Sequence, residues 1–230
     1  MEFSKKIHSK NERKGNHMAK LKKWIGNLKV AEKLKVYRMA VLVMTAFFVL
    51  VALVSTLVIR SNIRHITEVW SPSLEYLQEL ETMTAKYRIK QYQHLVESDA
   101  AAMATCEKEN DNIESQIKDA TAKLGEIINS NKKAQQGKAD YEKATSAWEE
   151  YLSTSDEVYK LSRDNKQAEA AKIMIGSAYE SYMSFVKQLN TLHDDFQVEL
   201  DNAKTLANIC TIIIFIVIIV TGIAIAVVAT

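Results

Sequence analysis

Proline occurs once in the 230 residues, glycine six times and cysteine twice. Between residues 60 and 204 there are three glycines and that single proline, Pro72. Two cysteines, Cys106 and Cys210, make no disulfide framework, and neither belongs to a metal-ligand spacing. Both read as buried free thiols. A glycine-rich phosphate loop, a nucleophile elbow and a kinase signature are all lacking, so nothing points to an enzyme or a cofactor. The carboxylate pairs in "EKEN", "WEEY" and "HDDF" fall on helical faces and read as solvated charge. His65, His94 and His193 are too scattered for a metal site.

Charge is missing altogether from two windows, Met39 to Ile59 and Thr205 to Thr230, which are 21 and 26 residues long. A helix needs about 20 apolar residues to cross roughly 30 Å of hydrocarbon, so both qualify as spans. The second contains "TIIIFIVIIV", in which six of ten residues are Ile and two are Val. In water such a β-branched run favours a strand. In a bilayer a lone strand leaves its backbone groups unpaired, and the helix wins. The first window is too long for a signal-peptide core and its basic lead is too extended. It reads as an uncleaved span.

The remaining charge is unevenly placed. Residues 1–38 hold twelve Lys/Arg against three acids, and residues 60–204 hold eighteen against twenty-five. The excess of positive charge keeps the first segment cytoplasmic. The expected order is a basic cytoplasmic arm (1–38), a first span (39–59), an extracytoplasmic segment (60–204) and a second span (205–230), in the cell membrane. Within the arm, Leu21, Trp24, Ile25, Leu28, Ala31 and Leu34 recur at helical spacing opposite lysines. That stretch either lies on the anionic leaflet or is a solvated, topogenic charge run. Met18 is an alternative start. Nothing suggests a nucleic-acid partner.

In residues 60–204 apolar residues recur at three and four, which implies an all-α segment. Met103, Cys106, Asn110, Ile113, Ile117, Ala120, Leu124 and Ile127 form one stripe. Tyr141, Ala144, Trp148, Tyr151, Ser155, Val158 and Ser162 form a second. Ile175, Ala178, Tyr182, Phe185, Leu189, Leu192, Phe196, Glu199, Ala203 and Leu206 form a third. These are the seams of an antiparallel four-helix bundle, with helices at about 60–97, 100–129, 139–163 and 165–204. Ser98 and Asp99 are candidate caps, and Asp164 with Gln167 has the spacing of a capping box. Pro72 should kink or restart the first helix, with Ser71 as its cap. From Ser177 to Thr221 there is neither Gly nor Pro, so the last helix and the second span should form one stiff rod. The two middle helices are shorter, and their joining loop should stop about 15 Å short of the membrane.

This order of arm, span, bundle and span resembles the input half of bacterial methyl-accepting chemotaxis receptors that carry a four-helix-bundle sensor. "NLKVAEKLKVYRM" is similar to the family's Lys-rich lead into the first span. "LETMTAKYRIKQYQHLVESDAAAM" and "DNKQAEAAKIM" are similar to the first sensor turn and to the start of the fourth sensor helix. The resemblance implies a membrane homodimer that senses a small molecule or a carrier protein. It also implies a ligand near the membrane-distal end, held by an Arg on the first sensor helix with two more at +5 and +9. Here Arg88 stands first, but the other positions are Gln93 and Glu97, so amino-acid specificity does not carry over.

On that helix an apolar stripe runs through Leu74, Leu77 and Leu80, loses phase, and resumes as Ile89, Tyr92 and Val96. Thr84, Gln91 and His94 occupy or flank the expected core face. They need partners, from a ligand, a second protomer or water. A ligand site at Arg88, Gln91 and Tyr92 is one reading; a solvated distal end is the other.

The function that follows is a receptor input module for chemotaxis, in which a signal shifts the last helix and second span relative to the first span. Kinase or adaptor partners would be reached only through an output domain. The same module on a sensor histidine kinase or nucleotide cyclase is an alternative, and a complete structural membrane scaffold is another. The uncharged ending "TIIIFIVIIVTGIAIAVVAT" has no cytoplasmic Lys/Arg anchor, which suggests a fragment.

Overall fold

The computed structural model describes residues 29–229. Among them every regular element is helical: α1 (Val30–His65), a π-turn (Ile66–Trp70), α2 (Ser71–Val96), α3 (Ala100–Ser130), a 3-10 turn (Ala134–Gly137), α4 (Lys138–Arg163), α5 (Gln167–Ile175) and α6 (Ser177–Ala229). Met18 and the amphipathic stretch up to Leu28 lie outside the described residues. Two compact units result. One is Ile59–Asn208; the other comprises the described residues up to Val58 and from Ile209 onward.

The larger unit is a helix bundle. Its direction can be read from cross-helix pairs. As α2 advances from Tyr87 through Lys90 to His94, its partners on α3 retreat from Asn110 through Glu109 to Glu107. These neighbours are antiparallel. Trp70 meets Phe196 and Arg88 meets Tyr182, so α6 also runs against α2. α4 runs parallel to α2, since Tyr87 pairs with Ser155 and His94 with Ser162. The turns at 97–99 and 164–166 therefore share one end. The 131–137 connection lies at the other.

The stripes of α3 and α4 are buried nearly as their spacing implies. Ile117, Leu124, Tyr151 and Val158 are almost fully enclosed, and each such side chain contributes roughly 1.5–3 kcal/mol through burial. Cys106 is an exception, being only half-buried, whereas Cys210 is buried; both are free thiols.

Local chemistry sets the ends. Asp99 caps α3, its Oδ1 accepting from the Ala101 amide at 3.2 Å. Ser98 does not cap; its amide donates to Glu97 Oε1. The Asp164–Gln167 capping box does not form either. Asn165 adopts φ 61°, Lys166 N–H donates to Leu161 O, and Asn165 N–H donates to Ser162 O. That pair of bonds is a Schellman closure of α4. It satisfies the outgoing carbonyls and leaves Gln167 Nε2 to reach Ser162 O.

Gly176 divides the expected fourth helix into α5 and α6. The break shifts the phase. Ala170 and Met174 enter the core, while Ile175 is 68% exposed. Further along α6, Leu200 is buried and Leu206 is exposed. Ser71 is not a cap: its φ and ψ are −64° and −47°, and no side-chain cap bond forms. Pro72 stands in the first turn of α2, directly after the π-turn. The wider π spacing precedes the residue that lacks an amide donor.

The 131–137 turn is held by close approach. A Cβ on Gly137 would lie 2.8 Å from Leu192 Cδ2 and 3.0 Å from the Phe196 ring. Phe196 is nine residues before Thr205, or roughly 13 Å along a helix.

The described residues of the two charge-free windows are helical, including the isoleucine-rich run. Among the described residues two helices are long and apolar enough to cross a membrane, and only 6% of each apolar window is buried. Leu42, Phe47, Leu50, Ile212, Phe215 and Ile219 are all exposed. Apolar surface of this extent marks a membrane-facing or partner-facing surface.

Candidate functional site: a polar core around Arg88

The apolar stripe of α2 does not lose phase. Trp70, Ser73, Leu77, Leu80, Thr84, Tyr87, Gln91 and His94 step in threes and fours, and all eight are buried. From Thr84 on, the residues at these positions are polar or carry hydroxyls. Ile89, Tyr92 and Val96, expected to resume the core face, are exposed, Val96 to 85%.

The buried polar groups find their partners inside the same bundle. Thr84 Oγ1 bonds back to Leu80 O at 2.7 Å. Gln91 Nε2 donates to Ser155 Oγ, and Tyr151 donates to Gln91 Oε1. Tyr87 and Ser155 share a hydrogen bond of 3.2 Å. Asn110 Nδ2 donates to Tyr87 O at 3.1 Å and to the Tyr159 hydroxyl. Hydrogen bonds thus cross the bundle interior from α2 to α4, with α3 joined through Asn110. Burial raises the Tyr87 phenol to about 12. It raises Tyr151 and Tyr159 further, although Arg88 opposes the shift at Tyr151. All three stay protonated at neutral pH; Tyr151 donates to Gln91, whereas Tyr159 accepts from Asn110.

Arg88 is the one buried cation in this core, 8% exposed. It forms no ion pair among the described residues. Nη2 donates to Met174 O at 2.8 Å and to the Tyr92 hydroxyl at 3.0 Å. Four rings surround the guanidinium: Tyr182 at 5.0 Å, Tyr92 at 5.3 Å, Tyr179 at 5.4 Å and Tyr151 at 5.8 Å. Their faces carry negative quadrupole density, which partly substitutes for a counterion. Met174 O lies in the last turn of α5, where carbonyls lack helical partners and a cation is favoured. Nη1 is buried without a partner.

The three residues of the expected ligand site therefore differ in character. Arg88 has a free donor. Tyr92 is 39% exposed and contacts it. Gln91 is fully enclosed with both amide atoms engaged, and it holds Tyr151 against Arg88.

A second knot closes the end that carries two turns. His94, wholly buried, places Nδ1 2.9 Å from Ser162 Oγ and Nε2 2.9 Å from Glu107 Oε1. Arg163 Nη1 donates to the same carboxylate oxygen at 2.7 Å. The sequence of carboxylate, imidazole and hydroxyl imitates a hydrolytic triad. Ser162 is fully enclosed, so no substrate carbonyl reaches its oxygen. The relay is a structural tie between α2, α3 and α4. No group of three or more His, Cys, Asp or Glu residues suited to a metal occurs among the described residues.

Sequence reading did not identify Tyr87, Glu107, Asn110, Tyr159 or Arg163 in these clusters. The signal was present in register: Thr84, Tyr87, Gln91 and His94 keep the three-four step that Leu77 and Leu80 begin.

None of the curated proteins compared with this chain matches it. A family model does match, over residues 27–208, and its description is a four helix bundle sensory module for signal transduction. With most of its length covered, and with the helical bundle that the description requires, the chain belongs to the family of four-helix-bundle sensory modules for signal transduction.

Proposed function

We propose that this sensory module is the input half of a chemotaxis receptor in the cell membrane, with the bundle extracytoplasmic and the basic N-terminal segment cytoplasmic. The family match, with a candidate span at each end of the bundle, carries this reading. The charge asymmetry supports the orientation.

In this reading, the ligand is a small anionic or polar molecule that engages the exposed Tyr92 hydroxyl and, as Tyr92 moves aside, the buried Nη1 of Arg88, while Gln91 fixes the ring of Tyr151 behind them. Two exposed apolar rows support a homodimer. Ile89, Tyr92 and Val96 form one on α2; Ile175, Tyr179 and Met183 form the other beside the α5–α6 break. Both rows flank Arg88 through Tyr92 and Tyr179, so a second copy would cover the edge of the site.

Signal passes when the ligand binds one arrangement of α6 better than another, since only differential affinity shifts such an equilibrium. α6 carries no proline or glycine from Ser177 to Thr221, which suits it to relay a displacement. A kinase or adaptor would be reached through a cytoplasmic output and not through the bundle.

A chimera tests this directly. The chain is joined to the output half of a receptor whose kinase control is measurable, and a panel of amino acids and organic acids is applied. At least one compound should change kinase activity, and Arg88→Ala should abolish that response while expression persists. A chimera that folds and inserts but answers to no compound of the panel counts against the reading.

A further inference from the structure

A groove of about 330 Å³ runs between α3 and α4, on residues that the Arg88 site does not use. Its volume falls in the range of small-molecule sites. Ile117 and Trp148, both buried, form the base with Tyr141. Tyr141 is fixed there, its hydroxyl donating to Thr121 O at 3.0 Å. Gly125 makes room for it, because a Cβ at that position would lie 2.5 Å from the Tyr141 oxygen.

The rim is charged. Glu114 and Lys118 come from α3, and Glu149 from α4. Among the described residues none of the three forms an ion pair, although Glu114 and Lys118 are four apart on one helix. Glu114 is half-buried and has Asp111 and Asp156 as further acidic neighbours. Burial first, and then those two carboxylates, push its proton affinity up, with Lys118 opposing. The groove therefore joins an aromatic base to a carboxylate that has Lys118 as a neighbour but no ion pair among the described residues.

We infer that this groove binds a small organic cation, a primary ammonium on a short chain attached to an aromatic ring. The ammonium sits between Glu114 and Glu149 and supplies the missing counter-charge. The ring lies against Ile117 and Trp148, where the electron-rich indole face also favours the nearby cation. Asp111, Asp156 and Lys118 are the other charged groups facing Glu114. Protonating Glu114 removes its charge, so affinity falls as the pH drops into the carboxylate range.

The test uses the full chain in lipid nanodiscs and isothermal titration with 2-phenylethylammonium. 2-Phenylethanol and phenylacetate serve as the neutral and anionic counterparts. Saturable binding of the amine is expected, with affinity roughly tenfold or more above the alcohol, as suits a hydrogen bond to a charged group. Glu114→Gln should reduce that affinity by a similar factor. It removes no partnered group, and circular dichroism should show the fold intact. Ala122→Phe, which fills the groove from its edge, should abolish binding, whereas Arg88→Ala should leave it unchanged. Absence of saturable amine binding overturns the inference. So does equal binding of amine and alcohol, or unchanged affinity in Glu114→Gln.

Discussion

Arg88 Nη2 donates to the carbonyl oxygen of Met174 at 2.8 Å, across a sequence separation of 86 residues. Met174 is two residues before Gly176, where α5 gives way to α6. A buried guanidinium thus holds the one break in the fourth helix of the bundle. Arg88→Ala removes the donor and leaves the carbonyl buried without a partner, a cost of about 1–3 kcal/mol. Amides from residues 171 to 180 should exchange hydrogen roughly ten times faster or more than in the unsubstituted chain. Hydrogen-exchange mass spectrometry reads this, and unchanged protection there would show that the bond is not what secures the junction.

Gly176 and Gly222 offer a contrast. A Cβ on Gly176 would lie 2.9 Å from Lys172 O, a backbone atom that cannot yield cheaply; Gly222 has nothing within 4 Å. Gly176→Ala should cost about 1–3 kcal/mol, as other steric intrusions do. Gly222→Ala should be neutral in the helix interior or slightly favourable. Thermal unfolding of the two variants in the same detergent tests the order.

Gln91 serves two partners at once. Gln91→Ala strands the Tyr151 hydroxyl, leaves Ser155 with Tyr87 alone and opens a cavity, which together should cost about 2–4 kcal/mol. Tyr151→Phe alone should cost about 1 kcal/mol. The double variant should lose less than the sum, because the second change removes a group already unpaired. Denaturant titration of the four proteins measures the coupling, and strict additivity would deny the network.

Alkali should unfold the bundle earlier than its acidic residues suggest. The Tyr87 phenol is raised by burial to about 12, and Tyr151 and Tyr159 are raised beyond it. Below pH 10, folded and unfolded chains both keep these protons and the contribution is complete. Above about 10 the unfolded chain releases them first, so stability falls by roughly 1.4 kcal/mol per pH unit for each tyrosine. Tyrosinate absorbance should therefore rise together with loss of helicity. Titration of all nine tyrosines near pH 10 without unfolding would contradict it.

The helical class and the seams of α3 and α4 were legible because apolar residues mark them at a constant step. The core face of α2 was harder. It keeps the same step from Trp70 to His94, but a search for apolar periodicity passes over Thr84, Gln91 and His94 and finds Ile89, Tyr92 and Val96 on the outer face instead. The break at Gly176 was missed because Ile175 and Ala178 happen to continue the stripe across it. Asp164 and Gln167 suggested a cap, yet Asn165 closes the preceding helix in a left-handed conformation that no side-chain spacing announces. Arg88 was singled out by resemblance; its ring of tyrosines comes from three separate helices and has no linear signature.

The hydrogen-bonded interior between Tyr87 and His94 has a mechanical consequence. Leucine and phenylalanine surfaces, such as those of Leu77, Leu124 and Phe196, accept small displacements at little cost, since one apolar contact replaces another. Gln91 and His94 resist them, because each has two specific partners and a shift breaks both bonds at once. The two halves of the bundle therefore differ as a clamp differs from a bearing. The end with two turns grips α2, α3 and α4 in one register, and among the described residues α6 contributes none of the hydrogen bonds that hold it.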